Sequence, residues 1–138
     1  MARAVVCLAM LALCGCAPFG ATLLNCPLPS EKPMIEAQLF FGRDIAGRGT
    51  VSDAEWSDFA ASVIARNFPD GFTISDGEGL WRDPASGGIV HERSKILLVA
   101  APDGPALASR IGDVIEAYRA RFHQQSVGVV TRQVCAAF

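Results

Sequence analysis

The chain has 138 residues, with 12 Lys and Arg against 14 Asp and Glu and a net charge near −2. This length is typical of a single domain with its own hydrophobic core. Because the net charge is small and negative, there is no strong positive field of the kind that attracts nucleic acid, and the composition argues against a nucleic-acid-binding protein.

The first segment has the pattern of a cleaved secretion signal. Arg3 is the only charge before an uninterrupted apolar run over residues 4–13. A run of this length is typical of the apolar part of a signal peptide. It is too short for a membrane-spanning helix, which needs roughly 20 apolar residues. The sequence therefore predicts a signal peptide over residues 1–15.

The end of this segment is similar to the bacterial lipobox, in which a small residue precedes the cysteine that receives the lipid. In the stretch LCGC, Gly15 is that small residue and Cys16 is the lipidated cysteine. Several acyl chains, palmitate among them, would then hold the protein firmly to a membrane. The alternative is an ordinary secretory signal cut near Ala21, which would remove Cys16.

The resemblance to the lipobox also implies a location. The residue after the modified cysteine is Ala17 rather than the Asp that retains such proteins at the inner membrane. We therefore expect a lipid-anchored protein of the cell envelope, on the outer membrane and facing the periplasm. Residues 16–33 contain four prolines and are predicted to be the tether between lipid and domain.

Two cysteines remain after the signal and the lipidated cysteine are set aside. In an oxidising envelope compartment, Cys26 and Cys135 are predicted to form one disulfide. The alternative is two buried free thiols. A metal site is not predicted, because these cysteines and the two histidines, His91 and His123, lack the spacing of zinc ligands. No cofactor is predicted either.

The first half of the domain is predicted to contain a strand and a helix. Apolar and polar residues alternate over residues 35–43, which predicts a half-buried strand. A loop follows, and the sequence SDAE from Ser52 to Glu55 is a capping box. The helix that starts there is predicted to end near Phe68, because Pro69 disfavours helical geometry in the residue before it.

The second half is predicted to contain a hairpin, a helix and a last strand. Residues 72–83 and 89–101 are predicted strands on either side of a turn, the first with a bulge or bend at Gly77 and Gly79. Pro105 lies in the first turn of a second helix, and residues 126–138 are predicted to form the last strand. The order β-α-β-β-α-β predicts an α+β, ferredoxin-like domain over residues 34–138. Two helices would cover one face of a four-stranded antiparallel sheet and leave the other face open.

The first site hypothesis is a pocket near the hairpin. Side chains alternate between faces along a strand, and Ile96 and Leu98 are predicted to face the helices, which places Glu92 on that side too. A carboxylate turned towards a core must be paired or protonated, and Arg82 is the predicted partner. The alternative is a purely structural ion pair. The candidate binding or pocket residues are Trp81, Arg82, His91, Glu92, Ser94 and Lys95.

The second hypothesis is a protein interface on the open sheet face. An apolar patch with a polar rim is typical of an interaction surface, here for a homodimer or an envelope protein partner. The alternative is that the tether or the C-terminal tail covers this face. The candidate interface residues are Phe40, Arg93, Leu97, Val99, Val130 and Arg132.

Several sequence blocks resemble a known family. They are VSDAEWSDF at residues 51–59, RNFPDGFT at 66–73, GEGLWR at 77–82 and ERSK at 92–95. Together they resemble the bacterial domain of unknown function 3574, which is often found in envelope lipoproteins, over about residues 34–138. The resemblance implies the location and one domain, but no activity. The sequence thus favours a non-enzymatic binding or interaction module on the open face, with a small-ligand or enzymatic pocket around Trp81, Arg82 and Glu92 as the alternative.

Overall fold

The computed structural model describes residues 25–45 and 47–138. The predicted signal peptide, the lipidated Cys16 and most of the predicted tether lie outside these residues. No helix within the described ranges is both long and apolar enough to cross a bilayer.

The described residues form four long strands, a short two-stranded ladder and two helical segments. In chain order they are β1 (Lys32–Gly42), β2 (Asp44–Ile45), β3 (Gly49–Thr50), α1 (Asp53–Phe59), a π-helical turn (Ala60–Ile64), α2 (Ala65–Asn67), β4 (Thr73–Arg82), β5 (Ile89–Ala101), α3 (Pro105–Phe122) and β6 (Gly128–Ala136). The long strands and both helical segments agree with the sequence prediction. The β2–β3 ladder lies in a stretch that was predicted to be a loop.

The four long strands form one sheet in the order β4-β5-β1-β6, and every neighbouring pair is antiparallel. The strands contribute Ala37, Leu39 and Phe41 to the core, and the helices pack on this face through residues such as Trp56 and Tyr118. The structure therefore has the predicted two helical segments on one face of a four-stranded sheet, and the other face is open.

The first helical segment begins as the capping box predicts. The backbone N–H of Glu55 donates to the Ser52 hydroxyl over 3.2 Å, and the N–H of Ser52 donates to the Glu55 carboxylate over 2.9 Å. The hydrogen bond from the Ser52 backbone is the main reason that the pKa of Glu55 falls to about 2, and the Ser52 hydroxyl and Arg48 lower it further.

The bulge predicted at Gly77 and Gly79 is wrong. Pairing between β4 and β5 runs one residue to one residue from Thr73–Leu98 to Arg82–Ile89. The structure gives another reason for the first glycine: a Cβ atom at position 77 would lie 2.8 Å from Cδ1 of Ile96. Gly77 makes room for a side chain of the neighbouring strand.

The predicted orientation of β5 is also wrong. The sequence analysis predicts Leu97 and Val99 on the open face, but both are buried in the core, with 0% and 2% of their surface exposed. Leu97 pairs with Leu39, and Val99 pairs with Ala37. Residues 96–101 are apolar at every position, so their alternation could not indicate which side chains face the helices.

The two predicted cysteines form the disulfide. Cys26 and Cys135 are bonded, with their Cα atoms 5.5 Å apart, and the bond links the segment before β1 to the end of β6. It closes a loop with a sequence separation of 109 residues. A bond that closes so long a loop restricts the unfolded chain strongly.

We expect replacement of both Cys26 and Cys135 by Ser to lower the free energy of unfolding by ~2–5 kcal/mol, because the loop constraint on the unfolded chain is lost. Urea unfolding followed by circular dichroism measures this change. Reduction of the unmodified protein is the control and should lower the midpoint by the same amount. An unchanged midpoint would show that the disulfide contributes no stability.

Candidate functional site

A cleft of about 630 Å³ lies on the open sheet face near the end of β1. It has walls from three parts of the chain: the end of β1, the β4–β5 hairpin and the segment between α3 and β6. Its lining residues are Phe40, Gly42, Asp44, Trp81, Val90, Glu92, Ser94, His123, Gln124, Gln125, Ser126 and Gly128. Cavities of this volume are typical of sites for small organic ligands.

Glu92 reaches across the sheet onto β1. Ser94 pairs with Gly42, and Glu92 lies two residues away on the same face of β5. A Cβ atom at position 42 would overlap Oε1 of Glu92 and would lie 2.8 Å from its Cδ. The missing side chain of Gly42 therefore provides the space that the Glu92 carboxylate occupies.

Aromatic and aliphatic side chains form the apolar part of the cleft. Trp81 pairs with Val90 in the β4–β5 ladder, so both side chains lie on the same face as Glu92. Phe40 approaches from β1, and 48% of the Trp81 surface is exposed. A half-exposed indole is well suited to stack on a flat ring or to contact a cation.

The third wall follows the end of α3. His123 ends the helix in the left-handed conformation, with φ of 54°. The side chain of the next residue, Gln124, donates a hydrogen bond of 2.6 Å to the carbonyl oxygen of Asp44. This bond connects the segment after α3 to the first residue of β2, just beyond the end of β1. The sequence analysis did not predict this wall, although the polar run at residues 123–126 marks it.

The lining of the cleft carries negative charge. Among the described residues that line it, Asp44 and Glu92 are carboxylates and none is Lys or Arg. None of the ion pairs among the described residues involves Glu92. The carboxylate is thus available to a ligand that carries a positive charge or hydrogen-bond donors.

The structure brings together three of the six predicted pocket residues, Trp81, Glu92 and Ser94. The predicted pair of Glu92 and Arg82 is wrong, because the two side chains lie on opposite faces of the hairpin. Arg82 donates instead to the carbonyl oxygen of Gly87 over 2.6 Å.

His91 and Lys95 also lie on the face of β5 opposite to the cleft. His91 Nδ1 lies 2.8 Å from a carboxylate oxygen of Glu78. The side chain of Lys95 is 12% exposed, and its Nζ lies 2.5 Å from Asp76 and 3.6 Å from Asp53. The hydrogen bond from Lys95 is the main reason that the pKa of Asp76 is lowered.

Arg43, the only buried charged residue of the described chain, belongs to the same cluster of charges, because it shares Asp53 with Lys95. Its Nε donates to the carbonyl oxygen of Val51 over 2.8 Å, and its NH1 lies 2.9 Å from Asp53. A cavity of about 290 Å³ adjoins this cluster, with Arg93 on its rim. The charges are paired with one another, and they connect the end of β1 to the start of α1.

The structure places three of the six candidate interface residues on the open face. Phe40 and Val130 lie on the open face, and so does Arg132, which forms an ion pair of 2.7 Å with Glu36. Leu97 and Val99 belong to the core instead, and Arg93 lies on the helix side, because the odd-numbered residues of β5 face the helices, which is the reverse of the predicted orientation.

The core and the cleft meet at Gly42. The Tyr118 hydroxyl donates a hydrogen bond of 2.9 Å to the carbonyl oxygen of Gly42. Burial of the phenol raises the pKa of Tyr118 above its usual value; the charge of Arg43 lowers it in part, and that of Glu92 raises it. The described residues include no group of three or more His, Cys, Asp or Glu side chains that could hold a metal ion.

Because the phenol of Tyr118 ionises less readily in the folded chain than at the ordinary pKa of about 10, stability should be complete below pH 10 and fall as the pH rises above it. We expect Tyr118→Phe to remove this alkaline loss and to cost about 1 kcal/mol near pH 7 through the lost hydrogen bond. Urea unfolding at pH 7 and pH 10.5 measures both effects.

The chain has a single tyrosine, so phenolate absorbance reports Tyr118 alone. It should rise together with the loss of circular dichroism at alkaline pH. A phenolate signal at the ordinary pH of a free tyrosine, in a chain that is still folded, would contradict the burial of this hydroxyl.

Comparison with known families identifies the family of this chain. A family described as "Protein of unknown function (DUF3574)" matches residues 36–138. The chain therefore belongs to this family, and the resemblance seen in the sequence is confirmed. No curated protein matches the chain.

Solved structures with the same overall fold belong to differently named proteins. A phage SAM lyase in complex with S-methyl-5'-thioadenosine has a TM-score of 0.57 at 16% identity, covering 76% of this chain and 90% of the lyase. The apo form of that lyase has a TM-score of 0.55, at 16% identity over 83% of this chain and 96% of the lyase. CutA from Synechococcus elongatus has a TM-score of 0.51 at 8% identity, covering 78% of this chain and 83% of CutA. At these identities, the likeness shows the fold alone.

Proposed function

We propose that this member of the DUF3574 family is a non-enzymatic binding module whose cleft takes a small organic cation with a flat ring. The single observation that carries the proposal is that Glu92 and Trp81 line the same cleft. The carboxylate would attract the positive charge of the ligand, and the indole would stack on its ring. The open sheet face would thus be the binding surface of the domain.

The acidity of the cleft favours a cation over an anion. Asp44 and Glu92 provide two carboxylates, and no Lys or Arg of the described lining compensates them. A partly enclosed acidic cleft with apolar walls concentrates positive ligands, because the protein wall screens charges less than water does. Phe40 and Val90 supply apolar surface for the uncharged part of the ligand.

A related fold suggests the first ligand class to test. The phage SAM lyase with the same overall fold has S-methyl-5'-thioadenosine in its structure. S-Adenosylmethionine combines a flat adenine ring with a sulfonium cation, which is the chemistry that Trp81 and Glu92 would recognise. S-Adenosylhomocysteine has the same skeleton without the sulfonium charge and is therefore a matched probe for the charge.

We expect S-adenosylmethionine to bind the full chain at least about tenfold more tightly than S-adenosylhomocysteine, a difference of ~1.4 kcal/mol. Glu92→Gln should reduce the affinity for the cation about tenfold and change that for the neutral analogue little. Trp81→Ala should weaken both ligands. Isothermal titration calorimetry measures the affinities, and Glu78→Gln is the control for an exposed carboxylate outside the cleft.

A pair of glycine variants tests the position of the carboxylate. Gly42→Ala should push the Glu92 carboxylate away and reduce cation affinity as Glu92→Gln does, while the flexible end of the side chain moves at little cost to stability. Gly79→Ala is the matched control, because its Cβ would meet only the carbonyl oxygen of Glu92 at 3.7 Å. Failure of both S-adenosylmethionine and the simpler aromatic cation benzyltrimethylammonium to bind would overturn the proposed function.

We also propose that the domain is held in the cell envelope by lipid on Cys16, on the outer membrane and facing the periplasm. The disulfide between Cys26 and Cys135 supports an oxidising compartment. It would also hold the tether at the end of β6, while the cleft adjoins the first residue of that strand, Gly128. The anchor and the cleft would thus lie at opposite ends of the sheet.

We expect Cys16→Ser to move the protein from the membrane fraction to the soluble fraction, because the only acylated residue is lost. Fractionation followed by mass spectrometry of the N-terminal peptide measures the change. Cys14→Ser is the matched control and should remain acylated at Cys16. Continued membrane fractionation of Cys16→Ser would contradict the lipid anchor.

Finally, we infer that the domain is of the ferredoxin-like class. The element order β-α-β-β-α-β and the sheet order β4-β5-β1-β6 support this assignment, because the two halves interleave their strands as split βαβ units do. The short β2–β3 ladder is an addition between the first strand and the first helix.

A further inference from the structure

The cavity of about 290 Å³ beside the charged cluster lies on the helix side of the sheet, opposite to the cleft. Its lining combines three cationic residues with two carboxylates. The cations are Arg43, Arg93 and Lys95, and the carboxylates are Asp53 and Asp76. The charged residues around this cavity therefore have a net charge of +1 (three positive charges less two negative ones), which is opposite in sign to the lining of the cleft.

Strand pairing holds the three cationic residues beside one another. The backbone N–H of Arg43 donates to the carbonyl oxygen of Arg93 over 3.0 Å. Arg93 and Lys95 are two residues apart on β5, so their side chains lie on the same face of the strand. The convergence of the three cations on one cavity thus follows from the backbone of the sheet.

The inner charges of the cavity are positive, and the outer charges are negative. The side chains of Arg43 and Lys95 are only 8% and 12% exposed, whereas those of Asp53 and Asp76 are 81% and 77% exposed. Exposed carboxylates exchange readily between an ion pair and water. The buried cations must keep an anionic partner, because an unpaired buried charge is costly. A ligand that replaced the two carboxylates would satisfy this requirement.

The present contacts define the position of an anionic oxygen between two of the cations. One carboxylate oxygen of Asp53 lies 2.9 Å from Nη1 of Arg43 and 3.6 Å from Nζ of Lys95. Nζ of Lys95 also lies 2.5 Å from a carboxylate oxygen of Asp76. Two oxygen positions thus surround the ammonium group, and one of them is shared with the guanidinium.

Arg93 supplies the positive charge that these contacts leave without a partner. Its side chain is exposed at the rim and takes part in none of the ion pairs among the described residues. Glu78, which lies opposite Arg93 in the β4–β5 ladder, contacts His91 instead. The planar guanidinium therefore has N–H donors to offer to a ligand in the cavity.

We propose that this cavity binds a phosphate group with two negative charges, either inorganic phosphate or a phosphate monoester. Its oxygens would take the positions of the two carboxylates beside Arg43 and Lys95, and Arg93 would donate to a further oxygen from the rim. Three cationic donors fit a tetrahedral dianion better than a carboxylate, because a carboxylate has only two oxygens. This site does not depend on the function proposed for the cleft.

Nitrogen-15 NMR of the full chain in a non-ionic detergent, titrated with inorganic phosphate at constant ionic strength, tests the site. We expect the backbone signals of Arg43, Asp53 and Lys95 to shift and to saturate, with a Kd on the order of 1 mM. Glycerol 3-phosphate is the probe for a monoester. Saturation by either dianion supports the proposal, and shifts that do not saturate with either would overturn it.

Dimethyl phosphate distinguishes a dianion from the phosphodiester of a lipid headgroup. It keeps the tetrahedral shape but carries one negative charge and has two unesterified oxygens. We expect it to bind about tenfold more weakly than inorganic phosphate, because one charge-assisted contact is lost. Equal affinity for the diester would contradict the proposed dianion.

Two charge variants distinguish this cavity from a general attraction of anions to the protein surface. Arg93→Gln should weaken phosphate binding about tenfold, because a charge-assisted donor is removed. Asp76→Asn should strengthen it about threefold, because a competing negative charge is removed. The amide oxygen of the new side chain can still accept from Lys95.

The matched controls are Arg121→Gln and Asp58→Asn. Arg121 and Asp58 form an ion pair of 2.7 Å outside the cavity, so these variants change the net charge equally without touching the site. Circular dichroism checks that all four variants are folded. Equal effects of the cavity variants and their controls, or weaker phosphate binding by Asp76→Asn, would overturn the proposal.

Discussion

The register between β1 and β5 is the constraint on which the rest of this structure depends. Pairing of Leu39 with Leu97 directs the odd-numbered residues of β5 into the core. The even-numbered residues, Glu92 and Ser94 among them, are then directed to the open face beside Gly42. Because side chains alternate along a strand, a slip of one residue would exchange the two sets, turn Glu92 away from Gly42 and expose Leu97. The apolar core and the acidic cleft are thus two results of one pairing.

The end of β1 is the point where the core, the charged cluster and the cleft meet. Below the sheet, Tyr118 contacts Phe41 in the aromatic core and donates to the carbonyl oxygen of Gly42. The next residue, Arg43, connects the strand to the start of α1 through Val51 and Asp53. A site supported by such packed and hydrogen-bonded elements keeps its geometry better than one on an isolated loop. The cleft therefore has a firm base, although its outer wall is the β4–β5 hairpin.

Fold and function are separate matters for this domain. A phage SAM lyase and CutA have the same overall fold at 16% and 8% identity, and a shared fold supports many different sites. The features that bear on function here are local: the space above Gly42, the carboxylate of Glu92, the exposed face of Trp81, and the absence of Lys and Arg from the described lining of the cleft. The proposed preference for a cation follows from that local chemistry.

The sequence by itself determined the features that arise between near neighbours in the chain. The capping box at Ser52, the end of the first helix before Pro69 and the order of the four long strands and the two helical segments could all be predicted, because each depends on a few adjacent residues. The family and the pairing of the last two cysteines could also be predicted. The tertiary structure alone decided which face of β5 is buried, since residues 96–101 are apolar at every position and carry no alternation. It also decided that Gly42, Trp81, Glu92 and His123 share one cleft, because strand pairing and helix packing bring together residues that local sequence patterns cannot connect.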